Sequence, residues 1–151
     1  MKAMNVKQEE NVMTPSYHHA YLSSNMIVAL HKLKKYSVFS ELALQLEKDY
    51  VADVCIYPKR KIHFAAGDII KVTEAPLMVV EILFPTQGTQ EILEKFAAYF
   101  QAGIQSCWLV IPVAQSVTVY SSMEQAQTYT QGDVIDTVLD IRIPAEELFA
   151  S

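Results

Sequence analysis

The sequence predicts an α/β fold built around one βαβ-like unit, and three consecutive stretches carry that prediction. Met78–Phe84 (MVVEILF) is a short run of apolar and β-branched residues closed by Pro85, the pattern of a strand buried on both faces. Thr89–Gly103 has helical spacing and stops at a glycine, the usual residue just past a helix C-terminus. Cys107–Pro112 is a second apolar run ended by proline. Strand, helix of about four turns, strand is the signature of a parallel crossover.

The other elements follow in chain order. Residues 1–13 read as a flexible lead, and residues 14–151 as a single domain. Thr14-Pro15 suits an N-cap and first helical position. Leu22, Met26, Ala29, Leu30 and Leu33 then mark one helical face. His18, His19 and His31 lie on this helix, but none stands four residues from another His or Cys, so all three read as ordinary helix residues. Ser37–Leu46 alternates, with Val38, Leu42, Leu44 and Leu46 on one side and Phe39, Glu41, Ala43 and Gln45 on the other. Val51–Pro58 (VADVCIYP) is a further strand, and Asp68–Val72 a short one after the basic turn Lys59-Arg60-Lys61. Beyond Pro112 a meander is expected: Ser116–Tyr120, Thr128–Gln131, a turn at Gly132-Asp133, Val134–Leu139 and Ile141–Pro144. Ala145–Phe149 closes the chain as a short helix.

Composition narrows the class. A hydrophobic content of 51% against 19% charged residues belongs to a compact globular protein. No apolar run approaches the roughly 18 residues that span a bilayer, and the polar N-terminus lacks a signal-peptide core, so a cytoplasmic protein with no membrane partner is expected. Cys55 and Cys107 lie far apart inside apolar runs and read as buried thiols. A net charge of −5 argues against broad, non-specific nucleic-acid binding while leaving room for the local basic cluster at 59–61.

Three polar residues stand where strands should be apolar. Glu81 sits mid-run in MVVEILF, and an ionised carboxylate there costs several kcal/mol unless a cation or hydrogen-bond donors compensate it. Asp53 interrupts VADVCIYP, although Asp is depleted in strand interiors. Glu41 is a milder case, equally readable as a solvent-facing strand residue. On the intervening helix Ile92, Leu93, Phe96, Ala97 and Phe100 form the apolar stripe, with Lys95 and Tyr99 along its edge one turn apart. Lys95 can therefore lay its stem against the sheet and bring its ammonium to the strand ends. Two carboxylates and a lysine suit phosphodiester hydrolysis, with Asp53 and Glu81 holding Mg²⁺ and the lysine orienting the nucleophile. The order D…E…K alone does not single this reading out, and structural ion pairing of Glu81 stays open beside it.

From VADVCIYP through APLMVVEILFPTQGTQEILEKFAAYFQAGIQSCWLVIP, and on to SVTVY and EELFA, the chain resembles the Uma family of putative restriction endonucleases, within the PD-(D/E)xK nuclease superfamily. E-I-L-F-P, K-F-A-A-Y, A-G-I and W-L-V-I-P occur in the family's order and spacing. The resemblance implies a restriction-endonuclease-like core, a mixed central sheet flanked by helices. It places Asp53 and Glu81 as metal-holding catalytic carboxylates, Lys95 as the catalytic lysine moved from position 83 (here Leu83) to the helix, and Tyr99 and Glu41 as supporting residues. Phe84, Glu91, Ser106, Cys107, Ile111 and Ala52 depart from the family's usual residues. The implied activity is a Mg²⁺-dependent (or Mn²⁺-dependent) DNA endonuclease acting as a homodimer, for which Tyr120 and Tyr129 offer exposed aromatic surface. The alternative is a non-catalytic dimeric binding or scaffold module that keeps the fold.

Overall fold

A computed structural model describes residues 16–151, so the expected lead over 1–13 and the cap at Thr14-Pro15 lie outside the described residues. Helix α1 (Tyr17–Lys32) is capped by Ser16, whose side chain accepts from the His19 backbone N–H. It buries Leu22, Met26, Ala29 and Leu30 along one face, as the spacing predicts. Strands β1 (Tyr36–Gln45), β2 (Asp49–Pro58), β3 (Met78–Ile82), β4 (Ser106–Ile111), β5 (Ser116–Ser122) and β6 (Gln125–Tyr129) form one sheet in that spatial order. Helix α2 (Thr89–Gln101) connects β3 to β4, which pair in parallel, while every other neighbouring pair is antiparallel. The mixed sheet implied by the resemblance is the sheet observed. Gly103, at φ 99, takes the left-handed conformation that ends α2 and turns the chain toward β4.

Each face of the sheet carries its own core. On one face Val54, Ile56, Met78, Val80, Ile82, Trp108 and Val110 pack with α1, with the hairpin β7 (Asp133–Asp136) and β8 (Ile141–Pro144), and with helix α3 (Ala145–Phe149). The other face buries Cys55, Tyr57, Val79, Cys107 and Leu109 beneath Ile92, Phe96 and Tyr99 of α2. All five residues of β3 are buried, which is why its sequence is a continuous apolar run rather than an alternation. Cys55 and Cys107 are buried free thiols flanking Val79, and burial pushes the Cys55 thiol up to about 12. The Trp108 indole N–H donates to Asp136 Oδ2 at 2.8 Å, tying β7 to the sheet through the one polar atom of the largest core side chain.

Several expectations change: the expected strand Thr128–Gln131 is the end of β6, and Val134–Leu139 is strand only as far as Asp136. The alternation over Ser37–Leu46 does not run unbroken: Val38 packs on the α1 face, whereas Leu42 and Leu44 pack on the α2 face. The switch falls at Glu41, whose φ of 49 is left-handed and turns the strand over. The Asp68–Val72 strand reduces to a single bridge between Val72 and Leu44 on the outer edge of β1. Asp68 instead accepts from the Ile69 N–H with its own side chain. Tyr120 and Tyr129 are half-buried rather than exposed: Tyr120 packs edge-on against Phe96, and the Tyr129 hydroxyl donates to the Ile135 carbonyl.

Candidate active site at a fork between two strands

The site forms where β2 leaves β3. The two strands pair at Val54↔Val80, Cys55↔Val79 and Ile56↔Met78 and no further, while β3 stays paired with β4 as far as Ile82. One more step of the same register sets Asp53 opposite Glu81. At that step the ladder stops and a side chain takes its place: Asp53 Oδ2 accepts from the Ile82 backbone N–H at 2.8 Å. An aspartate is costly inside a strand because it competes for backbone donors, and here that competition is what ends the pairing. On the other side, Ser40↔Val54 and Leu42↔Ala52 bracket Asp53 opposite Glu41, so all three acidic residues lie at one level of the sheet.

Each carboxylate is held by a different layer. Glu81 turns toward α2, where Lys95 Nζ donates to Oε1 at 2.9 Å and the Tyr99 hydroxyl donates to Oε2 at 3.1 Å. Lys95 also reaches the Val51 carbonyl at 3.3 Å, bridging β2 and β3 across the fork. The four-residue spacing of Lys95 and Tyr99 puts both donors on one side of α2, as the sequence indicates. Asp53 is held from α1 as well: His19 Nε2 lies 3.0 Å from Oδ2, the same oxygen that accepts from Ile82. Ser23, one turn along α1, sets its hydroxyl 3.4 Å from His19 Nδ1. The Phe84 ring lies tilted beside the imidazole, with centroids 6.1 Å apart.

His19 is the residue that sequence reasoning passed over. His18 and His31 are exposed, as expected of ordinary helix residues, but His19 is buried and reaches into the site. A signal was present: His19 precedes Leu22 by three positions and so begins the apolar stripe, a polar residue on a buried face like Glu81 in its strand. Glu41, by contrast, points to solvent, and its connection to the others is its place in the register and its field at His19.

The electrostatics follow from burial. The Glu81 side chain is only 3% exposed, and desolvation pushes its carboxyl up to about 7, against the pull of Lys95 and with added repulsion from Asp53. Burial likewise raises Tyr99, which keeps its proton and donates at all ordinary pH. His19 is raised chiefly by its hydrogen bond to Asp53, with burial opposing and the fields of Asp53, Glu81 and Glu41 adding. Because the folded state binds the Glu81 proton more tightly than the unfolded chain, stability is lost as pH rises from about 4.5 toward 7. Glu81→Gln removes this slope, so the variant gains on the wild type across that window in urea titrations; parallel curves would show that Glu81 does not titrate there.

The donor set suits a hard divalent cation in kind. Carboxylate oxygens are the ligands that Mg²⁺ takes while keeping several waters, and here Asp53 faces the fork while Glu81, next to it in register, is buried with both oxygens held by Lys95 and Tyr99. Oδ1 of Asp53 has no hydrogen-bond partner among the described residues, and the side chain is 20% exposed. No group of three or more His, Cys, Asp or Glu side chains among the described residues is arranged to hold a metal, so most of any ion's shell would be water or substrate.

Compared with known families, residues 8–145 match Uma2, described as "Putative restriction endonuclease". The chain belongs to the Uma2 family. Its fold is shared with a solved structure from Anabaena variabilis ATCC 29413, described as a "putative nuclease belonging to DUF820", at a TM-score of 0.74 and 18% identity over 91% of this chain and 83% of that one. No curated protein matches the chain. Membership of Uma2 supports a nuclease-like function. Among the described residues of this Uma2 protein, no helix is long and apolar enough to cross a membrane.

Proposed function

We propose that this Uma2 protein is a Mg²⁺-dependent (or Mn²⁺-dependent) endonuclease that hydrolyses DNA phosphodiester bonds. Asp53, Glu81 and Lys95 are the catalytic residues, and Tyr99 and Glu41 support them. The observation that carries the reading is the fork itself: Asp53 and Glu81 adjacent in register where the β2–β3 ladder ends, with Lys95 on Glu81. Asp53 and Glu81 would hold the cation, which when bound neutralises phosphate charge and acidifies a coordinated water. Lys95, anchored on Glu81 Oε1 and the Val51 carbonyl, sets a fixed positive charge beside the scissile phosphate and orients the attacking water. Tyr99 holds Glu81 Oε2 and keeps that carboxylate from turning away. Glu41, exposed opposite Asp53, adds negative potential that draws a cation toward the fork.

The test is incubation of supercoiled and linear duplex DNA with the protein in Mg²⁺ or Mn²⁺. Metal-dependent nicking or cutting, abolished by chelation, is the expected result, and intact DNA at micromolar protein would refute it. One observation favours the alternative, a binding module that keeps the nuclease fold: both oxygens of Glu81 are already engaged by Lys95 and Tyr99.

Cutting both strands of a duplex calls for two sites related by a two-fold axis, so the active species is a homodimer. The loop between β2 and β3 supports this, because Phe64, Ile69 and Ile70 are 90%, 67% and 86% exposed. Light scattering at micromolar concentration should give twice the mass of the chain, and the monomer mass would count against a dimer.

A further inference from the structure

We propose that His19 is a positioning residue for the candidate site: it holds Asp53 so that one carboxylate oxygen is fixed by the protein and the other is left to a divalent cation. This rests on the reading of Asp53 as a metal-holding residue. The geometry assigns the role step by step. The His19 backbone is fixed by the Ser16 cap at the N-terminus of α1, through its own N–H at 3.3 Å. The imidazole is fixed at its other end by Ser23, one helical turn later, with Oγ 3.4 Å from Nδ1. A carboxylate oxygen only accepts, so the 3.0 Å contact to Asp53 Oδ2 requires a proton on His19 Nε2, and the Ser23 hydroxyl can pair with Nδ1 as donor or acceptor.

Oδ2 therefore receives two donors, the His19 Nε2–H and the Ile82 N–H at 2.8 Å. Two donors on one oxygen fix both the direction and the plane of a carboxylate; one donor fixes only the direction. Pairing with β1 fixes the Asp53 backbone, but the Ile82 bond alone would leave its side-chain carboxylate free to turn about that one contact. With the plane fixed, the lone pairs of Oδ1 keep one orientation at the mouth of the fork, on a side chain that is one-fifth exposed. His19 itself is shielded, with its side chain 9% exposed and the Phe84 ring beside it, so water does not compete for the bond. Hydrogen bonds that orient a ligating side chain are commonly worth 10–100-fold in metal affinity, about the size expected here.

The test is Mn²⁺ affinity, measured by titration calorimetry on the full chain, for the wild type, His19→Gln, His19→Leu, Ser23→Ala and Asp53→Asn. Glutamine places an N–H donor near the position of Nε2, whereas leucine fills the space without one. His19→Leu should weaken Mn²⁺ binding by about ten-fold or more, His19→Gln should restore most of it, and Ser23→Ala should cost a few-fold. Thermal melts report folding separately; if His19→Leu does not fold, the contrast is carried by Ser23→Ala against the wild type. Wild-type affinity in both His19→Leu and Ser23→Ala, with binding lost in Asp53→Asn, overturns the role of His19 and leaves the metal site standing. Equal losses in His19→Gln and His19→Leu reduce His19 to packing and also overturn it. Absence of Mn²⁺ binding in the wild type removes the metal-site reading, and this proposal falls with it.

Discussion

If the proposed function holds, Lys95→Ala should remove cleavage of duplex DNA while leaving a folded protein whose stability loss depends on pH. Deleting one partner of a buried ion pair costs on the order of 3–5 kcal/mol when the remaining charge stays ionised. Glu81 need not stay ionised, since burial already lifts its carboxyl to about 7 and losing the Lys95 ammonium lifts it further. At pH 6 the orphaned carboxyl takes up a proton and the loss is small; at pH 8 it must either ionise unpaired or hold a proton against bulk pH, and the loss grows. Urea unfolding at the two pH values, with a plasmid-nicking assay on the same preparation, separates the two roles of Lys95. Full cleavage with reduced stability would make Lys95 a structural partner only.

Asp53→Asn has the second large effect, and it is local. The side-chain shape is kept, and the amide oxygen can still accept from Ile82 and His19, so the fork closes as before. What is lost is the negative charge and the second anionic oxygen. Cleavage should fall by two orders of magnitude or more, the scale seen when one preorganised electrostatic group is removed from a site. The stabilisation expected if Mg²⁺ binds the wild type, about 2.7 kcal/mol at one hundred times its dissociation constant, should disappear with it. A variant that cuts DNA normally, or melts higher with Mg²⁺ to the same extent as the wild type, would take Asp53 out of the site.

How much of this was legible in the sequence depends on the range over which each residue acts. Glu81 and Asp53 stood out because a carboxylate in an apolar run carries a local cost, visible without any knowledge of the fold. Lys95 and Tyr99 were legible through one helical turn and the crossover that lays α2 over β3. The fork was not legible, because it depends on where β2 stops pairing with β3. The face switch at Glu41 was hidden for a related reason: a left-handed residue leaves no mark on apolar alternation until the two cores are seen to exchange sides. His19 was hidden by distance, its partner lying 34 residues away on a strand. Spacing rules for helical metal sites look for ligands on the same helix, and His19 belongs to a constellation that only the packing of α1 against the sheet assembles.

The most direct measurement is an anomalous difference map from crystals of the wild-type protein soaked in Mn²⁺. A Mn²⁺ peak within ligand distance of Asp53 Oδ1 and a Glu81 carboxylate oxygen, absent from Asp53→Asn crystals treated alike, is the predicted result. A fully occupied ion elsewhere on the molecule, or a fork without density at Mn²⁺ concentrations that support cleavage, would contradict the account.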